Sequence, residues 1–160
     1  MKAVLLFFVL FSAVNFQNEE GDALLQQFDK AAYYDILKSG STKEIKDEIS
    51  LVNASSLDNK DAFNGALLMK KAGLLKVAKE KLDNFKSGRI KLETAINNDS
   101  SKVEYHFLRL IIQEHGPKIV KYSSEINDDA DYIKTNFKNL SPEVQKIVMN
   151  YSQNSKPLKH

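Results

Sequence analysis

No cysteine occurs anywhere in the 160 residues, and that one absence excludes disulfides, thiolate metal sites, a cysteine nucleophile and a lipid-modified N-terminal cysteine. Packing and hydrogen bonding must therefore hold the chain together. Tryptophan is also absent, and the six glycines and three prolines are few, which suits helices joined by short turns. Strand-like alternation of useful length is missing from everything after the N-terminal segment. Neither sign of charge dominates: 23 Lys and Arg face 21 Asp and Glu, for a formal net charge of +2. Bulk electrostatics thus gives no reason to expect nucleic acid or a membrane surface as partner.

What is present points to one helical domain. At 160 residues and 42% hydrophobic content, a chain buries roughly 70% of the surface it exposes when unfolded, enough for a real core. Met1 and Lys2 precede an apolar run over residues 3–14, and polar Gln17, Asn18, Glu19 and Glu20 follow. This reads as a secretory signal peptide over residues 1–16, because a membrane span needs ~20 apolar residues and a basic flank is missing after the run. No Ala-x-Ala motif fixes the cut, so cleavage after Val14, Asn15 or Phe16 stays open, with an uncleaved anchor as the rival reading. The expectation is a secreted or periplasmic protein with a domain over residues 17–153, a flexible tail over 154–160, and no stable membrane insertion once the leader is removed.

Residues 62–78 form the most apolar stretch outside the N-terminus, and their apolar residues occupy more than one helical face, as in a helix at the middle of a domain. Gly65, Ala66, Ala72 and Gly73 offer a side for close backbone approach, while Phe63, Leu67, Leu74 and Val77 supply bulk. Before it, Leu24, Leu25, Phe28, Ala32 and Ile36 follow helical spacing up to Ser39-Gly40, and Ser41 with Glu44 has capping-box spacing before Ile45, Ile49 and Val52. Asp58 with Asp61 marks the start of the central helix. Leu82, Phe85, Leu92 and Ile96 predict a fourth helix ending at residues 97–100. Val103, Phe107, Leu110 and Ile111 predict a fifth, broadened by Leu108 and Ile112 and stopped by Gly116-Pro117 with Gly as a left-handed cap. Ile119, Val120 and Tyr122 suggest a short helix, and Asp128 a cap for the next, in which Ala130, Ile133 and Phe137 face inward. Ser141-Pro142-Glu143 opens the last, carried by Val144, Ile147, Val148 and Tyr151. The fold class is all-α, about six to seven antiparallel helices.

Within the fourth helix Gly88, Leu92 and Ala95 stand in the small-bulky-small spacing of the second helix of a tetratricopeptide repeat. Asn98-Asp99-Ser100-Ser101 then occupies the place of the family's Asp-Pro, with Ser for Pro, and Val103-Glu104-Tyr105 opens the next helix. Gly65, Met69 and Ala72 repeat the spacing one helix earlier. Over roughly a quarter of its length the chain thus resembles a degenerate tetratricopeptide-like hairpin. It lacks the family's Trp, and its connection, placed between Val77 and Leu82, is longer than the family's tight turn. The resemblance implies stacked antiparallel hairpins and a partner-binding surface. More loosely, the design is similar to small secreted bacterial proteins for which no activity carries over.

Chemistry leaves little trace. His106 and His115 are nine residues apart, not the four of a helical metal pair, and His160 falls in the tail. Asp128, Asp129 and Asp131 with Glu125 lack the central Gly and closing Glu of an EF-hand loop, so an acid-rich helix N-terminus is the better reading. Four Asn-x-Ser triplets, at Asn53, Asn98, Asn139 and Asn150, fit an Asn- and Ser-rich composition and matter only in a eukaryotic secretory pathway. No catalytic residue, metal ligand or cofactor is assigned. Between Lys70 and Lys91, eight basic residues stand against Glu80 and Asp83. Lys79, Lys86 and Arg89 are the candidate partner-binding residues, for an acidic peptide, glycan or headgroup, against the plainer reading of a solvated helix face. Tyr33, Tyr34 and Tyr105 offer an alternative face if they are exposed. The expected function is a non-enzymatic module binding a protein or peptide. The alternative is a carrier with an apolar cavity lined by Phe85, Phe107 and Ile111.

Overall fold

The structure is a computed structural model that describes residues 28–116 and 120–159. The expected signal peptide, the first turns of the expected first helix with Leu24 and Leu25, and Pro117, Ile119 and His160 lie outside the described residues. Within them the chain is all-α: α1 (Lys30–Ser39), α2 (Thr42–Ala54), α3 (Lys60–Leu74), α4 (Ala78–Asn98), α5 (Val103–His115), α6 (Ile126–Asn136) and α7 (Pro142–Ser152), with a 3-10 turn at Phe137–Asn139 and no strand among the described residues.

Local chemistry sets several of the boundaries. Asp29 caps α1 by accepting from the amide of Ala32 at 2.7 Å. Both arms of the capping box at the start of α2 are made: Ser41 Oγ accepts from the Glu44 amide at 3.3 Å, and the Ser41 amide donates to Glu44 at 2.7 Å. Asn59, not Asp58, caps α3. Ser141 caps α7 ahead of Pro142, whose missing N–H costs nothing in a first turn. Gly116 ends α5 in an extended conformation (φ −71°, ψ 150°) instead of the left-handed cap expected there. α6 begins at Ile126, so Asp128 lies in its first turn and is not its cap. Of the short helix expected around Val120 and Tyr122, Tyr122 is buried outside any helix.

α3 is central, as its composition predicts: Ala62, Phe63, Asn64, Gly65, Ala66, Leu67, Met69 and Ala72 are all buried. It pairs with α4 through bare backbone. A Cβ placed on Gly65 would sit 2.7 Å from the carbonyl oxygen of Gly88, and one on Gly88 would sit 2.5 Å from that of Gly65, so neither helix could carry a side chain at the crossing. Met69 and Leu92 pack immediately beside it. Gly73 differs, because nothing lies within 4 Å of its Cβ position. The expectation of a close contact there is corrected, and with it that of Leu74, Val77 and Leu82 as packing bulk, since all three are exposed. The cause is the helix end: α3 stops at Leu74 where residues 62–78 predict a longer helix, Leu75 adopts φ −70°, ψ 155°, and α4 restarts at Ala78. The connection is therefore residues 75–77, short and earlier than the sequence suggests.

The opposite side of α3 meets an aromatic cluster. Tyr33 stands edge-on to Tyr34 and to Phe63, each with ring centroids 5.3 Å apart, and donates its hydroxyl to the Phe63 carbonyl at 2.9 Å. Tyr105 is buried with them, so the three tyrosines offered as an alternative docking face belong to the core. Burial, reinforced by the charge of Glu104, pushes the Tyr33 and Tyr34 phenols well above their ordinary value. In α1 the buried face is Tyr33, Tyr34 and Leu37, with Ile36 only half-buried. The C-terminal residues lack an apolar period, yet Ser155 and Leu158 are buried, and Ser155 Oγ donates to Glu114 at 2.8 Å beside the Tyr151 hydroxyl bound to the same carboxylate.

Glu48 on α2 is a charge-bearing group inside this core, and its Oε1 finds no partner. Burial, then the negative charge of Asp29, raises its carboxyl above the ordinary value. A carboxyl raised in the folded state binds more protons there than in the unfolded chain, so stability should fall as pH rises through that interval. Glu48→Leu should flatten this slope and add about 1 kcal/mol at pH 7, read by urea denaturation at pH 4 and 7. An unchanged slope would mean the carboxyl is solvated. In the same assay Gly88→Ala should cost about 1 to 3 kcal/mol and Leu67→Ala about 2 to 5, while Gly73→Ala should stabilise by up to about 1 kcal/mol through helix propensity alone. Equal effects at the two glycines would refute the backbone contact.

Candidate partner-binding face on α4

α4 buries Phe85, Gly88, Leu92, Ala95 and Ile96 against the body. With 3.6 residues per turn, Lys79, Leu82, Lys86, Arg89 and Glu93 fall in a stripe along one flank of that buried face, and Ile90 points most directly away from the body. Lys86, Arg89, Ile90 and Glu93 line a shallow open depression of about 440 Å³. Ile90 is 66% exposed, an apolar side chain left without intramolecular cover. The Arg89 guanidinium lies 5.0 Å from the centroid of the Tyr122 ring, which holds it over that ring's face. Of the three residues proposed from sequence, the structure brings Lys86 and Arg89 together. Lys79 shares their face but stands roughly 10 Å away along the axis, paired to Asp83 one turn on at 2.6 Å in an exposed bridge worth little.

Beneath the depression is a polar network that the sequence reading missed. Glu93 accepts from Arg109 Nη1 at 2.8 Å through one oxygen and from the Tyr122 hydroxyl through the other. Arg109 continues to Asp129, with Nε at 2.8 Å from Oδ2 and Nη2 at 2.7 Å from Oδ1, a fork-to-fork pair. His106 Nδ1 lies 2.7 Å from the same Oδ1, and its Nε2 lies 3.0 Å from the Ser100 carbonyl. Asp129 is 1% exposed. Burial works against the Arg109 charge, but the hydrogen bonds and charges of Asp129 and then Glu93 outweigh it and hold its pKa above the ordinary value. Burial, aided by Glu93, likewise drives the Tyr122 phenol up. The network ties α4, α5 and α6 together.

The other candidates have partners of their own. His106 contacts Asp129 and the Ser100 carbonyl through its two ring nitrogens, and exposed His115 contacts Tyr151 instead of His106. Asp129 serves the ion pair while Asp128 stands exposed in the first turn of α6, so the acidic run is a helix N-terminus. Among the described residues no group of three or more His, Asp or Glu is placed to hold a metal ion. Phe85 is edge-on to Tyr122 at 5.8 Å, and Phe107 packs 5.4 Å from both Tyr34 and Tyr151. With buried Ile111, these side chains are in packed core and none of them lines the depression. One sequence signal points to the network: His106 and Arg109, three residues apart, share a helix face within the otherwise apolar stretch from Tyr105 to Ile112, and buried cations require acids.

No protein-family model, curated protein or solved structure matches the chain.

Removing one member of a buried ionic set leaves the others uncompensated, so Asp129→Ala should cost about 3 to 5 kcal/mol. Lys86→Glu on the exposed stripe should change stability by less than about 0.5 kcal/mol. Chemical denaturation of both variants decides it, and an Asp129→Ala protein as stable as wild type would mean the network holds nothing.

Proposed function

We propose that this chain is a secreted or periplasmic, non-enzymatic interaction module that holds an acidic protein or peptide segment against the outer face of α4. The observation that carries the reading is the depression at Lys86, Arg89, Ile90 and Glu93, where an exposed apolar side chain stands beside two cations on a helix whose other side is fixed to the core. Arg89 is restrained over Tyr122, so less side-chain freedom is lost when it engages a carboxylate. Ile90 gives the partner an apolar contact that salt does not screen, and the cations give orientation and speed of encounter. The tetratricopeptide-like resemblance supports the same reading. The close crossing at Gly65 and Gly88, with Met69 and Leu92 beside it, supports that resemblance.

Selection from a peptide library displayed against the wild-type chain should enrich sequences combining acidic residues with a bulky apolar one. The Lys86→Glu/Arg89→Glu variant should lose that enrichment and the salt dependence of binding, with its denaturation midpoint unchanged. Lys79→Glu alone should weaken binding far less, because Lys79 stands two turns away. Enrichment of the same peptides by the double variant would reduce these residues to a solubilising surface.

A further inference from the structure

The end of the α3–α4 hairpin has no structural reason to carry the side chains it does. From residue 73 to residue 83 every position is exposed except half-buried Leu75, and Gly73 faces open space. The hairpin thus projects beyond the body by the connection and the first turns of α4. Leu74 (42% exposed), Val77 (54%) and Leu82 (49%) stand on this projection. Lys76, Lys79 and Lys81 are interspersed with them, and Lys70 and Lys71 stand at its base, against Glu80 and Asp83 alone, the latter already neutralised by Lys79. Lys70 donates to the Lys38 carbonyl at 2.7 Å, so the C-terminal end of α1, with exposed Lys38, lies at the same end of the molecule.

We infer that this hairpin tip docks on an anionic lipid surface, with Leu74, Val77 and Leu82 entering the interfacial region and the surrounding lysines lying among the headgroups. Shape and charge both select this occupant. A convex tip exposed on all sides offers no walls to a peptide, whereas a soft, flat surface can receive it. Apolar side chains mixed with lysines match a boundary that is apolar below and negatively charged above. Lysine suits it because the flexible stem can lie along the apolar layer while the ammonium reaches the phosphates. The site is separate from the depression, which lies further along α4.

The absence of cysteine makes the test direct. Val77→Cys in the full chain carries a single environment-sensitive fluorophore at the tip, and Met149→Cys carries it on exposed α7 as a control. Vesicles of phosphatidylcholine with phosphatidylglycerol should shift the emission of the label at 77 to the blue and leave that at 149 unmoved, and vesicles of phosphatidylcholine alone should shift neither. Lys76→Glu/Lys81→Glu should weaken vesicle binding at least about tenfold, and Leu74→Ser/Leu82→Ser should abolish the shift, with circular dichroism spectra unchanged. Vesicle binding without a shift at 77 would place the contact elsewhere, such as at the N-terminal apolar run, and would overturn the proposal. A shift that appears with polyglutamate and not with vesicles would assign the tip to an acidic polypeptide. A shift that grows with protein concentration in the absence of lipid would assign it to a second copy of this chain.

Discussion

The fold depends on a contact between two stretches of backbone. At Gly65 and Gly88 the two longest helices among the described residues approach so closely that each carbonyl oxygen occupies the space a methyl group would need on the other. Such an approach gives no hydrophobic burial at the contact itself. Its value is that it brings the flanking side chains, Met69 and Leu92 above all, into full interdigitation and fixes the register of α4 on α3. Once that register is set, the inward face of α4 is determined, and so is the outward one. The position of Lys86, Arg89 and Ile90 on the surface follows from where Gly88 must be.

A second constraint operates further along α4. α5 presents apolar side chains on several faces, and apolar surface alone specifies orientation poorly. His106 and Arg109 remove that freedom, because only one rotation presents both to Asp129 and also brings Arg109 to Glu93. Buried ion pairs commonly contribute little net stability but penalise wrong arrangements heavily. Here the pairs assign a place to α6, which has few buried side chains of its own: Asp129, Ala130 and Ile133.

The sequence discloses those parts of the fold that arise from local chemistry. The capping box at Ser41 and the cap and first-turn proline at Ser141 and Pro142 each depend on neighbours within a few positions, and each is found, whereas the apolar stretch over residues 62–78 is a central helix only as far as Leu74. The small-bulky-small spacing even identifies Gly65 and Gly88, although not that they face one another. What the pattern cannot carry is tertiary assignment. Gly73 has the same local signature as Gly65 and lies in open space, because the helix ends one residue later. Tyr33, Tyr34 and Tyr105 read equally well as surface anchors or core, and pairing with Phe63 and Phe107 across distant elements decides it. Of the three basic residues proposed as a site, composition finds the stripe, but only the depression that Lys86 and Arg89 share sets those two apart from Lys79, which pairs with Asp83.

Glu93 faces two ways. From outside it is part of the rim that a partner would meet, and from inside both of its oxygens are committed, one to Arg109 and one to Tyr122. A cationic group arriving from solution must compete with those two donors for the same lone pairs, and every gain outside is offset by a loss within. On the proposed reading, an arriving carboxylate would face no such exchange, since it would engage Lys86 and Arg89, and the surface would discriminate by what each guest has to dismantle at the junction of α4, α5 and α6.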